Sequence, residues 1–400
     1  MTSPAKSTVV AELTPPGRGA VAVVAVAGPQ CLAAIGNNFH AQNGRQLAEI
    51  AIGRIAFGHW AKPNGEEVVL CRHTDDELEI HCHGGIAAIE AIIGQLVSAG
   101  CERITWQQWV ERSTTDPIQA AAQVALARAT TERTAAILLD QLNGSLRRDI
   151  NATLAAITAT DWPTAERIIG DLLNREDIGR HLTNRWQIVV FGPPNVGKSS
   201  LLNALAGYSR AIVSPIPGTT RDVVTLTTAF DGWAVQLSDT AGFRTTDDEL
   251  ESAGIELATG ALARAELALF VHDASALRAN KLTGASPNLP NVPTCTRALH
   301  IVNKIDLVPV AERSALVQQF RKTQPSAGPP LCISALNNEG VTELIATIVE
   351  ALVPQPIPPE TAVPFSNDHI EALSAARAAI SQRDPQVATS HLLALLTKTA

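Results

Sequence analysis

Gln187-Ile188-Val189-Val190-Phe191-Gly192-Pro193-Pro194-Asn195-Val196-Gly197-Lys198-Ser199-Ser200-Leu201-Leu202-Asn203 is the stretch that decides the fold. Gln187 to Phe191 reads as a buried strand. G-x-x-x-x-G-K-S follows at once, and Ser200 to Leu205 opens a helix. The glycines let backbone N–H groups turn toward a polyphosphate, and the helix N-terminus adds its positive dipole end. Asn195, Val196, Gly197, Lys198, Ser199 and Ser200 then cradle the phosphates. Lys198 supplies a point charge to the β/γ-phosphates, and the Ser199 hydroxyl ligates Mg²⁺.

Downstream, His300-Ile301-Val302-Asn303-Lys304-Ile305-Asp306 ends a strand with N-K-x-D. The Asp306 carboxylate can accept from guanine N1–H and the exocyclic amine. Adenine offers neither donor there and would leave a desolvated carboxylate unpaired. Asn303 adds a hydrogen bond to the base edge, and the Lys304 stem covers it. The next strand end, Cys332-Ile333-Ser334-Ala335-Leu336, closes the pocket through the backbone of Ser334 and Ala335. The pattern specifies GTP over ATP. Between these motifs, Leu237-Ser238-Asp239-Thr240-Ala241-Gly242 is a strand ending in D-T-A-G. Asp239 can hold Mg²⁺ through water, and Gly242 N–H can reach the γ-phosphate. In Gly218-Thr219-Thr220-Arg221-Asp222, Thr220 completes the Mg²⁺ shell. Asp231-Gly232 joins Val224–Phe230 and Ala234–Asp239 in a hairpin. Phe243 stands where many GTPases carry a water-orienting Gln, so another group must place the water.

The rest of the chain frames this core. Its 400 residues predict two to three domains. A 46% hydrophobic and 18% charged composition supports packed cores and excludes a disordered chain. The net charge of −8 excludes a bulk-basic nucleic-acid binder. Six cysteines are scattered without a CxxC pair, as in reduced thiols. Met1 to Lys6 carries no signal-peptide pattern, and the apolar run Ala20–Ala27 is too short to span a bilayer. A soluble, cytoplasmic chain with no membrane partner is expected. His81 and His83 alternate with Cys82 across a strand, which argues against a zinc cluster with Cys71 and His73.

The expected architecture is an α/β P-loop GTPase domain with a mostly parallel sheet, inserted in an α-helical domain and preceded by an α+β N-terminal domain. Its divisions are 1–105 (α+β), 106–184 (helical, first part), 185–353 (GTPase), 354–365 (Pro-rich linker) and 366–400 (helical, second part). The last stretch is too short for its own core and is expected to return to the earlier helices.

These residues resemble the tRNA modification GTPase family MnmE (TrmE). The likeness runs from Gly192 to Gly207, through Ala211-Ile212-Val213-Ser214-Pro215-Ile216-Pro217-Gly218-Thr219-Thr220-Arg221-Asp222, and through Asp239 to Arg244 and Asp248 to Ile255. In the N-terminal part it rests on Thr14-Pro15-Pro16-Gly17-Arg18-Gly19 and Leu78-Glu79-Ile80-His81-Cys82-His83-Gly84-Gly85. The resemblance implies a homodimer whose GTP hydrolysis is activated by K⁺. Asn195 would ligate the ion, with Ser214, Ile216 and Thr219 closing the loop around it. Glu251 matches the family's acidic residue that orients the attacking water. It further implies an FAD-dependent partner subunit and wobble-uridine modification of tRNA. Glu79 matches a formyl-tetrahydrofolate contact. However, Ala25 stands where the family has a folate-binding Arg, and the tail Leu396-Thr397-Lys398-Thr399-Ala400 lacks the family's Cys-Ile-Gly-Lys end. Two functions are therefore weighed: a tRNA-modifying GTPase, and a regulatory or scaffold GTPase that has lost the folate-dependent role. A ribosome-assembly GTPase fits less well, because neither end of the chain is basic.

Overall fold

The computed structural model describes residues 7–15, 17, 19–62, 65–208, 225–239, 260, 264–279, 297–325 and 328–398. The chain divides into two units, Met1–Ala120 and Ala121–Ala400.

The first unit is built on a seven-stranded sheet in the order β3-β4-β5-β6-β2-β1-β7. Its strands are β1 (Val9–Glu12), β2 (Val21–Ala27), β3 (Phe39–Ala41), β4 (Ile55–Trp60), β5 (Glu66–Arg72), β6 (Glu77–His83) and β7 (Glu102–Arg103). All pairings are antiparallel except β7 on β1. Strict alternation makes β6 two-faced. Leu78, Ile80 and Cys82 enter the main core, while Glu79 and His81 stand on the other face. Helix α1 (Cys31–Gly36) and helix α2 (Ile86–Ser98) cover that core. Ile89, Ile92, Ile93 and Leu96 of α2 recur at helical spacing and are all buried. Gly100, at φ +96°, ends the helix as read from the sequence. Helix α3 (Trp106–Ser113) lays Trp109 over Val9, Ala11 and Ala25 on the opposite face.

Helix α4 (Pro117–Leu126) runs across the boundary. The second unit continues with α5 (Glu132–Leu142), α6 (Ser145–Thr158), α7 (Trp162–Leu173) and α8 (Glu176–Arg180). An α/β part follows: β8 (Trp186–Phe191), α9 (Lys198–Tyr208), β9 (Thr225–Phe230), β10 (Trp233–Asp239), β11 (Leu267–Asp273), α10 (Ala274–Arg278), β12 (Arg297–Asn303), α11 (Val310–Thr323), β13 (Leu331–Cys332) and α12 (Val341–Leu352). Its sheet has the order β13-β12-β11-β8-β10-β9, parallel except for the β9–β10 hairpin. Asp231 and Gly232 both have positive φ, as a tight two-residue hairpin turn demands.

Helices α13 (Asn367–Ser381) and α14 (Pro385–Leu396) pack on α7 and α6, respectively, and on each other. The Pro-rich segment before them is fixed rather than loose. The buried Gln141 side chain donates to Thr361 O (2.9 Å) and accepts from Val363 N (3.1 Å). Ala362 and Val363 are buried, and a Cβ on Gly179 would strike the Pro364 carbonyl. Proline content alone reads as a spacer; the partner for its backbone comes from a glutamine more than two hundred positions away.

Candidate functional site

The carboxyl ends of β8, β10, β11, β12 and β13 gather the described residues of the nucleotide motifs. In a doubly wound sheet the crevice beyond those ends is where ligands lie. Val189 and Val190 bury β8 in the sheet, and the chain then turns through Gly192 (φ +159°), Asn195 (φ +64°) and Gly197 (φ +92°). A Cβ on Gly192 would come within 2.5 Å of Val271 O, and one on Gly197 would collide with the Asn303 amide. Both glycines are therefore required for close approach as well as for conformation. Lys198 is buried, and its ammonium donates to Gly192 O and Pro193 O, both at 2.9 Å, on the inside of the loop. Ser199 and Ser200 are exposed in the first turn of α9. Asp239 is buried at the end of β10 and pairs in register with Val190 of β8. Ser199 and Asp239 offer oxygen donors, the set that suits Mg²⁺.

Asn303 does more than the sequence expectation asks of it. It is 2% exposed, and its amide is used on the protein. Nδ2 donates to Val196 O (2.9 Å), and Oδ1 accepts from Ala335 N (3.0 Å). It is a strut between the phosphate loop and the Ser334–Ala335 segment, and an amide has a second N–H beyond the one these bonds use. Lys304 has φ +65°, and its ammonium donates to Asn195 O and to Asp273 Oδ2 (2.7 Å). Asp306 lies half-buried in the short turn Ile305–Leu307 that follows. Ser334 is fully buried, and its N–H donates to Glu339 O at 2.9 Å.

Two contributors were missed in the sequence. Asp273 caps α10, accepting from Ser275 N (2.8 Å) and Ala276 N (3.4 Å), as well as from Lys304. Burial opposes its ionisation, but these donors outweigh burial and hold its carboxyl below the usual range. A strand-end Asp before Ala-Ser reads as an ordinary cap, which hides the ion pair. Arg313 ties the base-pocket elements together, donating to Ile305 O (3.2 Å) and pairing with Glu339. Behind them, His272 Nε2 lies 3.1 Å from His300 Nδ1 beside Phe270 and Phe320. Burial and the neighbouring imidazole push His272 down to about 4, and burial lowers His300 too, so both are neutral at pH 7.

Ser214, Pro215, Ile216, Pro217, Gly218, Thr219, Thr220, Thr240, Ala241, Gly242 and Glu251 lie outside the described residues. Glu79 sits in the first unit. His73 Nε2 and His81 Nε2 lie 3.1 and 3.3 Å from its Oε2. Directly opposite in register is the fully buried Ala25, which carries no charge. The donors that this carboxylate meets are imidazoles rather than a guanidinium, a poor match to the Arg-containing folate contact. Among the described residues no helix is long and apolar enough to cross a membrane.

Residues 8–106 match the family described as GTP-binding protein TrmE N-terminus, and residues 187–304 match that described as 50S ribosome-binding GTPase. A tRNA modification GTPase MnmE from Symbiobacterium thermophilum is 33% identical over 386 residues, covering 86% of this chain and 82% of the relative. One from Heliobacterium modesticaldum is 32% identical over 381 residues, covering 85% and 80%. A solved structure of Era from Aquifex aeolicus, bound to GDP and aluminium fluoride, is 27% identical over 48% of this chain and 66% of its own, with a TM-score of 0.33. The phosphate loop, the N-K-x-D turn and the GTPase match make this chain a GTP-hydrolysing enzyme. With likeness spread over more than four-fifths of both chains, it belongs to the tRNA modification GTPase family MnmE.

Proposed function

We propose that this chain is a Mg²⁺- and K⁺-dependent GTPase serving modification of the wobble uridine in tRNA. The observation that carries the nucleotide reading is the Asn303 strut, which holds the phosphate loop and the base-pocket backbone as one frame. In that frame Lys198 neutralises the β/γ-phosphates and Asp306 selects guanine. Ser199, with Asp239 behind it and Thr220 from the sequence motif, would hold Mg²⁺. The ion supplies charge neutralisation at the phosphates when bound. Asn195, Ser214, Ile216 and Thr219 would surround K⁺, and Glu251 would orient the water. The backbone of Val196, Gly197 and Ser200, with Pro215, Pro217, Gly218, Thr240, Ala241 and Gly242, would complete the phosphate contacts. The tRNA role rests on the likeness to relatives that carry that name and extends through the N-terminal unit. A homodimer, an FAD-dependent partner subunit and the five-part domain division read from the sequence belong to the same proposal. Mass spectrometry of tRNA nucleosides, with and without the gene and after complementation, tests it. Loss of the modified wobble uridine on deletion is expected, and unchanged nucleosides would overturn it.

A second reading is favoured by one observation: Ala25 faces a Glu79 already engaged by His73 and His81. It is a regulatory GTPase without the folate-dependent step. Calorimetric titration with formyl-tetrahydrofolate separates the two. Submicromolar binding excludes the second reading, and no binding alongside normal GTP turnover supports it.

A further inference from the structure

We infer that Asp273 is a positioning residue for guanine-nucleotide binding, acting through Lys304. The inference rests on the reading that the Lys304 stem covers the base, and deepens it. Lys304 is a branchpoint held in an unfavourable backbone conformation, φ +65°. A non-glycine residue stays there only where its surroundings over-determine it. The backbone is held by Ile305 N, which donates to Ile333 O, and by Lys304 O, which accepts from Leu307 N. The side chain is held by two acceptors: the Asn195 carbonyl on the phosphate loop and the Asp273 carboxylate on β11.

The register explains why Asp273 can serve. β11 and β12 run parallel with Asp273 directly beside Asn303, so its carboxylate lies one residue from Lys304. The Asp273 side chain is 20% exposed and that of Lys304 32%, so water screens the pair only in part. The cap fixes the carboxylate in turn, because Ser275 and Ala276 amides hold its other oxygen. The result is a chain of fixed positions from α10 through Asp273 and Lys304 to Asn195. Without the carboxylate, the ammonium keeps only the Asn195 carbonyl, and the stem samples rotamers that do not lie over a base.

Asp273→Asn is the informative variant. Asn caps helices about as well as Asp, so the bonds to Ser275 and Ala276 are kept while the charge is removed. The full chain is titrated with fluorescent GDP and assayed for GTP turnover in KCl. The expected result is a Kd and KM raised roughly tenfold, about 1.4 kcal/mol, with kcat changed less than about twofold and thermal stability preserved. A general loss of folding would instead lower kcat through the active fraction. A double-mutant cycle with Lys304→Met completes the test: the double variant is expected to bind no more weakly than Lys304→Met alone. Unchanged Kd in Asp273→Asn, with weakened binding in Lys304→Met, overturns the inference but leaves the Lys304 reading standing. Additive losses also overturn it. Unchanged binding in both single variants overturns both.

Discussion

Asn303 carries two jobs in one amide, and its removal should be felt at both. Asn303→Ala leaves Val196 C=O and Ala335 N–H without this partner in a buried place. Each orphaned group costs about 1–3 kcal/mol, so a stability loss of roughly 2–6 kcal/mol is expected from denaturant midpoints, with weakened GDP binding. Asp306→Asn should behave differently. It turns an acceptor pair into a donor and an acceptor, weakening GTP binding while admitting xanthine nucleotides. Competition with GTP, ATP and XTP checks this, and native affinity for ATP equal to that for GTP would refute the guanine reading. Residue types at this site were legible because Gly-Lys-Ser and N-K-x-D each demand particular donors and acceptors. The direction of the Asn303 amide was not, since a type fixes which atoms exist and not which neighbours they meet. Asp273 stayed hidden for the related reason that its cap and its ion pair use the same atom type.

The β9–β10 hairpin shows the same division among the elements. Its Asp-Gly turn was readable, because few sequences tolerate two consecutive positive φ angles. Its dock was not: Thr131 Oγ1 donates to Gly232 O at 2.6 Å, Arg133 pairs with Asp231 at 3.1 Å, and the guanidinium lies over Trp233. Thr131 also caps α5. Thr131→Val removes both bonds and should lower stability by about 1–2 kcal/mol. Arg133→Ala should cost under about 1 kcal/mol, since its pair is exposed. Chemical denaturation of both variants ranks them, and a larger loss for Arg133→Ala would reverse this assignment. Helix α13 makes a pH prediction. His369 is buried against Phe365, and burial, opposed only in part by Asp368, pushes it down to about 4. The unfolded chain takes up that proton near its ordinary value of 6.5 while the folded chain resists. Stability is therefore lost as pH falls from 6.5 toward 4, on the order of 2 kcal/mol by pH 5. His369→Leu should flatten urea midpoints between pH 7 and 5, whereas an unchanged slope would place the titration elsewhere.

For the molecule as a whole, the proposed ion site predicts faster GTP turnover in KCl than in NaCl at equal ionic strength. Asn195→Ala should abolish the difference with little change in GDP affinity. Equal turnover of the native chain in both salts would dismiss the K⁺ loop. The α/β order of this region was legible because a strand, a phosphate loop and alternating helices admit few topologies. The fixed course of residues 360–363 was not, because nothing local to it names its partner. That clasp has a thermodynamic meaning. Gln141 and Val363 meet across 222 positions, so the bond closes one large loop of chain around the α/β region. Closure entropy grows only with the logarithm of loop length, about 0.6 kcal/mol for each doubling. The helical frame is thus nearly indifferent to how much chain it encircles. Insertions and deletions within the ring change its closure by fractions of a kilocalorie, so the nucleotide-binding part is free to vary in length while the frame that holds it stays the same.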